Sequence, residues 1–241
     1  MRLATGVIPA RYRSSRFEGK PLAKIAGQPM IQIVHERAKK AKYLDRLIIA
    51  TDDERIYQSA KDFGAEVKMT SPNHNSGTDR TAEVSKQINT PIIINIQGDE
   101  PLLEGEMIDA LIESLQDEAI PMATLITKVK DLDLLHDINI VKVIQDKEGF
   151  ALYFSRSPLP FKSPDYFLQH IGIYGYQKDF LMKFNELPPS RLERIENLEQ
   201  LRALEYGYKI KVIETPFPTL SVDTPQDIIK VENYLKKSKN D

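Results

Sequence analysis

Cysteine is absent from the 241 residues. Disulfides, thiolate metal sites and a cysteine nucleophile are therefore excluded, and a disulfide-free chain suits a reducing cytoplasm. Long apolar runs are missing as well. The strongest, "PIIINI" at residues 91–96, is far too short to span a bilayer. The opening shows no secretory leader pattern. Its apolar run is broken by Thr5 and Gly6 and leads into arginines rather than a small-residue cleavage site. Neither charge sign dominates: 33 Lys+Arg stand against 35 Asp+Glu, a formal net charge of −2. Such a chain has no global field to hold a polyanion, so neither a nucleic-acid nor a membrane partner is expected. Several catalytic signatures are also lacking. There is no G-x-G-x-x-G, no Walker A loop and no H-E-x-x-H, and no G-x-S-x-G elbow. The histidines at 35, 74, 136 and 170 are scattered, which disfavours zinc.

The remaining composition, 41% hydrophobic and 28% charged, is that of an ordinary globular protein. Short β-branched runs read as buried strands: "ATGVIPA", "RLIIAT", "PIIINIQ", "MATLITK", "NIVKVIQ" and "YKIKVIE". Segments with helical spacing lie between them. Met30, Val34, Ala38 and Ala41 share one face, as do Ile56, Ala60 and Phe63 before a stop at Gly64. Further stripes are Met107 or Ile108 with Leu111, Ile112 and Leu115, and Leu192, Ile195, Leu198, Leu201 and Leu204 before Gly207. Thr224 and Pro225 open the last helix. This alternation predicts one α/β domain over 1–241, a mainly parallel sheet flanked by helices. From about 137 to 207 the pattern is richer in strand and reads as a small antiparallel insertion.

In open parallel sheets ligands bind beyond the carboxyl ends of the strands. After the first strand comes "RYRSSRFEGK", residues 11–20, with four cations and one acid. Guanidinium groups clamp phosphate oxygens in pairs and lysine adds a point charge, so the position favours a phosphate site over a solvated basic loop. After a central strand comes "QGDEP", residues 97–101. A carboxylate at a strand tip can hold Mg²⁺ together with phosphate oxygens; an acidic turn explains the same residues. Asp223, between a strand and a capped helix, reads as a helix start unless it meets Asp99, when the pair would complete a magnesium site for phosphoryl or nucleotidyl transfer. "SGTDR", residues 76–80, is a helix start with free N–H groups. "TDDER", residues 51–55, reads as a capped helix start.

Together "IPARYRSSRFEGKPL", "SGTDR", "NIQGDEPL", "VKVIQDKEGFALYFSRSPLP", "HIGIYGY", "LERIENLEQLRALEYG" and "VDTPQD" occur in the order of the 3-deoxy-manno-octulosonate (Kdo) cytidylyltransferases. The resemblance runs from about residue 3 to 235. It implies the nucleotide-diphosphosugar transferase (Rossmann-like) fold, a homodimer, and transfer of CMP from CTP to Kdo with release of diphosphate, feeding lipopolysaccharide synthesis. By the same resemblance Pro9, Ala10, Arg11, Arg16 and Lys20 would hold the CTP base and phosphates. Ser76, Gly77 and Thr78 would read the cytosine. Asp99 and Asp223 would carry Mg²⁺, and Lys20 would act with them in catalysis. Gln97, Arg156, His170, Tyr174, Glu199 and Gln200 would line the sugar pocket, with Arg156 facing the sugar carboxylate. The family's usual Pro-Gly-Lys is Glu18-Gly19-Lys20 here, and Glu18 would weaken binding if it faced the triphosphate. The segment "FKSPDYFLQ" is shorter than in many relatives. Two other readings stand beside this one. One is the same reaction on 8-amino-3,8-dideoxy-manno-octulosonate. The other is a sugar-nucleotide-consuming glycosyltransferase with Asp52 and Asp53 as metal ligands.

Overall fold

The computed structural model describes residues 1–13, 17–162, 165–217 and 219–237. Its first half follows the expected alternation. β1 (Ala4–Ala10) leads through a 3₁₀ turn at Lys20–Leu22 and two short strands, β2 (Lys24–Ile25) and β3 (Gln28–Pro29), to α1 (Met30–Ala38). Then follow β4 (Arg46–Thr51), α2 (Glu54–Asp62), β5 (Glu66–Met69), α3 (Gly77–Ser85), β6 (Ile92–Asn95), α4 (Gly105–Ser114) and β7 (Met122–Val129). The second half holds β8 (Lys142–Gln145), β9 (Ala151–Ser155), β10 (Phe167–Gln177), α5 (Lys178–Glu186), α6 (Arg191–Glu196), α7 (Gln200–Glu205), β11 (Ile210–Glu214) and α8 (Pro225–Lys237).

All six sequence-predicted strands form. The main path of the sheet runs β11-β7-β10-β6-β1-β4-β5. β1 pairs in parallel with β4 and β6, β4 with β5, and β7 with β11. The chain builds outward from β1 through β4 to β5 and then returns to the other side of β1 with β6. That reversal is a topological switch point, where a crevice opens beyond the strand ends.

Side-chain alternation feeds two cores. Ile92, Ile94 and Ile96 enter the layer that contains α1 and α4, whereas Ile93 joins Ala82, Tyr176 and Phe184 on the opposite face. The helical stripes behave as expected: Met30, Val34 and Ala38 are all fully buried. Gly64 ends the α2 stripe with φ +78°, a conformation that glycine adopts without steric cost.

Two expectations need correction. The stretch read as a small antiparallel insertion is antiparallel, but its longest strand belongs to the main sheet. β10 lies between β6 and β7 in the main sheet, antiparallel to both, and β8 and β9 hang from it. The apolar stripe from Leu192 to Leu204 is also not one helix. Asn197 adopts the left-handed conformation (φ +54°) and separates α6 from α7; among non-glycine residues asparagine tolerates that region best. The break leaves Ile195 63% exposed while Leu198 and Leu201 stay buried.

Ile94 is fully buried in the central strand. Ile94→Ala should lower stability by about 3 kcal/mol through lost burial and a cavity. Urea unfolding measures this, and a loss under about 1 kcal/mol would show that the layer above β6 collapses readily into the space.

Candidate active site

The switch point is lined by three chain segments. The first follows β1. Beyond Pro9, Ala10 and Arg11 the chain loops out and is closed by the Gly19 N–H donating to the Tyr12 carbonyl at 2.8 Å. Gly19 has φ +69°, and a Cβ there would meet the Tyr12 ring at 3.0 Å, so the closure requires glycine. The 3₁₀ turn then presents Lys20. Arg55 stacks over the Tyr12 ring, 3.2 Å from its centroid, and donates to both Asp53 carboxylate oxygens at 2.7 and 2.9 Å. The Arg55 guanidinium is held above the ordinary arginine range, first by its hydrogen bonds to Asp53, with the charges of Tyr12 and Glu18 adding. Glu18 does not line the crevice, and its charge is the smallest of those acting on Arg55. Arg16 lies outside the described residues.

The second segment follows β6. A Cβ on Gly98 would stand 3.2 Å from the Pro9 carbonyl oxygen, so glycine lets the two strand ends approach. Asp99 and Asp223 meet as the sequence suggested. The Lys20 Nζ lies 2.5 Å from Asp99 Oδ2 and 3.4 Å from Asp223 Oδ1. A backbone hydrogen bond from the Val222 N–H to the Asp99 carbonyl, 2.9 Å, ties their loops together. Asp227 fixes the turn that carries Asp223. Its Oδ2 accepts from the Asp223 N–H, the Thr224 N–H and the Thr224 hydroxyl at 3.2, 2.9 and 2.8 Å. Burial alone would raise the Asp227 carboxyl, but hydrogen bonds from Lys230, Thr224 and Asp223 more than offset it and bring it down to about 2.

Glu100, next to this pair, is buried with an Oε2 that has no hydrogen-bond partner. Burial, reinforced by the charge of Asp99, pushes it up to about 8. Two hard carboxylates converging on one cation are a donor set suited to a divalent ion such as Mg²⁺. Among the described residues no cluster of three or more His, Asp or Glu could hold a metal alone, so the other ligands would have to come from substrate or water.

The third segment is the start of α3. Ser76 Oγ accepts from the Asp79 N–H at 3.0 Å, and Asp79 accepts back from the Ser76 N–H at 3.0 Å, a reciprocal cap. Ser76 and Gly77 face the crevice. Thr78 turns away and donates its hydroxyl to Glu199 at 2.5 Å. Sequence reading missed Arg80, which is 3% exposed, lines the crevice and forms an ion pair with Asp52 at 3.1 Å. Its spacing from Gly77, one helical turn, was the available signal. His74 and Asn75 also line it and carried none. Asp53 caps α2, as "TDDER" implied.

These segments enclose a cavity of about 260 Å³ containing Pro9, Ala10, Arg11, Lys20, Ser76 and Gly77, with Gln97 on its wall. A second cavity, about 720 Å³, adjoins it and contains His170, Tyr174 and Gln200. Asp99 and Asp223 line both. His170 is buried, sits 2.9 Å from the Thr124 hydroxyl and is pushed down to about 3 by burial, so it is neutral. Burial drives Tyr174 far above the ordinary tyrosine range. Gln200 Nε2 is buried without a partner.

Three expected sugar-pocket residues lie elsewhere. Gln97 faces the smaller cavity. Glu199 lines neither and is held behind α3 by Thr78; burial raises its carboxyl, against the hydrogen bond from Thr78 and the charge of Arg202. Arg156 lines neither cavity: its Nε donates to the Glu196 carbonyl at 3.1 Å and its Nη1 to the Ile138 carbonyl at 2.9 Å.

Two adjoining polar cavities that meet at paired carboxylates suit a transfer between two substrates, and the sheet is that of the nucleotidyltransferases. A 4-diphosphocytidyl-2C-methyl-D-erythritol synthase from Anaerococcus prevotii has the same fold, with a TM-score of 0.68 at 16% identity over 98% of this chain and 99% of its own. The family model for cytidylyltransferase matches residues 5–210. The 3-deoxy-manno-octulosonate cytidylyltransferase of Syntrophotalea carbinolica is 52% identical over 96% of this chain and 98% of its own length. That of Fusobacterium nucleatum is 50% identical over 97% of each. A solved CMP:2-keto-3-deoxy-manno-octonic acid synthetase complexed with CTP superposes with a TM-score of 0.93 at 40% identity, covering 98% of this chain and 99% of the other. The chain belongs to the 3-deoxy-manno-octulosonate cytidylyltransferase family.

Asp227 gives a measurable pH effect. Its folded-state value of about 2 lies below the ordinary aspartate value of 3.8, so the ionised carboxylate stabilises the fold above the ordinary value and the contribution is lost as pH falls toward the folded one. Asp227→Asn should cost on the order of 1–2 kcal/mol near neutral pH, with the gap to wild type closing in acid. Denaturant unfolding across pH reads this. A gap that stays constant with pH would mean that the charge is not the source.

Proposed function

We propose that the chain transfers CMP from CTP to the anomeric hydroxyl of Kdo, releasing diphosphate. The observation that carries this reading is the sharing of Asp99 and Asp223 between the two cavities. A nucleotide in the smaller cavity and a sugar in the larger one would meet at those carboxylates. The sugar hydroxyl oxygen forms a bond to the α-phosphorus while the bond to the bridging oxygen breaks. Diphosphate carries away the electron pair, and the proton of the attacking hydroxyl is released to water.

The residues fit the substrates. Arg11 and Lys20 supply cations for the phosphates. The capped turn at Ser76 and Gly77 offers backbone groups to the base, and Arg80 brings a fixed guanidinium to the same wall. Asp99 and Asp223 would hold Mg²⁺, which supplies charge neutralisation at the phosphates when bound. Neutral His170, protonated Tyr174 and the Gln200 amide present hydrogen-bonding groups to a polyhydroxylated sugar. Arg156 is the cation proposed for the sugar carboxylate, although it lines neither cavity and donates to the Glu196 and Ile138 carbonyls.

The relatives carry the Kdo name, so the 8-amino sugar is not favoured. Nor is a glycosyltransferase that uses Asp52 and Asp53 as metal ligands: Asp52 pairs with Arg80 and Asp53 with Arg55.

We further propose that the product feeds lipopolysaccharide synthesis, that the enzyme works in the cytoplasm and that it is a homodimer. Leu152, Phe161 and Ile195 are 58, 91 and 63% exposed. These exposed apolar side chains are available to a contact between protomers. Among the described residues no helix is long and apolar enough to cross a membrane.

Diphosphate release should require CTP, Mg²⁺ and Kdo together. Equal rates with UTP or ATP would defeat the cytidine assignment. Asp99→Asn and Asp223→Asn should each lower kcat by about 10²-fold or more with the fold intact by circular dichroism. A near-normal rate in either variant removes that residue from the metal site.

A further inference from the structure

Lys142 opens β8 with a side chain that is 0% exposed. Among the described residues no carboxylate forms an ion pair with it. Its ammonium instead donates to three backbone carbonyls: Asp137 at 2.8 Å, Ile140 at 2.8 Å and Arg156 at 2.6 Å. An ammonium has three N–H donors, so these contacts use them all. Burial lowers the Lys142 pKa below the ordinary lysine range, while the charges of Asp137 and Glu196 act in the opposite direction.

The three carbonyls belong to two segments with one job. Asp137 and Ile140 are in the loop that, with Asn139 and Val141, forms a wall of the larger cavity. Arg156 follows β9 and reaches back to the same loop through the Ile138 carbonyl. Its backbone N–H is held by the Glu196 carboxylate at 3.0 Å, which also accepts from the Ser155 hydroxyl at 2.8 Å. Glu196 stands just before Leu198 and Gln200, on another side of the same cavity. None of these residues lines the smaller cavity. Residues 137–141 contribute to no strand, and their bond to β10 runs from the His170 N–H to the Val141 carbonyl at 2.8 Å.

We infer that Lys142 is a positioning residue for the acceptor sugar, its buried ammonium clamping the 137–141 wall of the larger cavity to the end of β9. An aliphatic side chain there would leave three carbonyls without their donor, and the loop would move to find others. The inference rests on the reading that the larger cavity takes Kdo. Lys142 touches no reacting atom in this account. Its effect is confined to how well the sugar is held.

The test compares Lys142→Met and Lys142→Gln with wild type in diphosphate-release kinetics, varying Kdo at saturating CTP, and in calorimetric titration with CTP alone. Lys142→Met should raise KM for Kdo by about tenfold or more and leave CTP affinity within about twofold. Lys142→Gln keeps amide donors without the charge and should show the same split at smaller amplitude. It also carries the test if Lys142→Met fails to fold. Folded variants with an unchanged KM for Kdo, or with an equal loss of CTP affinity, overturn the inference and leave the proposed reaction standing. Wild type that releases no diphosphate from CTP and Kdo defeats the proposed reaction, and this inference with it.

Discussion

The positive charge of Lys20 between Asp99 and Asp223 is the interaction around which the crevice is organised. It joins residues 79 and 203 positions apart in the chain. Without a cation at that point, two carboxylates on adjoining loops would repel each other, and burial would sharpen the repulsion. Glu100, beside that pair, is hard to ionise first because it is buried and then because Asp99 adds a like charge. Two carboxylates and one ammonium leave one net negative charge, so a divalent cation there would carry an excess that phosphate oxygens offset.

The sheet makes that meeting place available. β1 and β6 are parallel neighbours, so their carboxyl ends bring the phosphate loop and Asp99 side by side. β10 then runs antiparallel beside β6 and carries His170 past its end. One crevice therefore acquires two floors, one set by parallel strands and the other by a strand of opposite direction. The backbone hydrogen bond between Val222 and Asp99 and the cap made by Asp227 bring the C-terminal helix to the same point.

Much of this was legible in the sequence. The strands announced themselves through dense isoleucine and valine, Asp99 through its place just beyond a strand end, and Lys20 and Asp223 through the family resemblance. The missed features share a physical cause: they depend on contacts between distant segments. In sequence Arg80 reads only as part of a helix start, and its role in the crevice depends on Asp52, 28 positions away in the chain. The place of β10 inside the main sheet was not legible, because composition marks a strand-rich stretch but not its neighbours. Asn197 broke a helix whose leucine spacing was otherwise regular, since one left-handed residue outweighs a propensity pattern. The same break explains Glu199 and Gln200, adjacent in sequence but facing different surroundings. Lys142 gave no signal, because a lysine bound by carbonyls looks in sequence like any other lysine in an alternating strand.

The wall common to the two cavities has a thermodynamic consequence. Ligands that bear on the same pair of side chains cannot bind independently. Whatever factor the nucleotide contributes to the affinity for the sugar, the sugar must return to the affinity for the nucleotide. Cooperation between the substrates is then a property of two carboxylates held in common, and it needs no movement of the sheet that carries them.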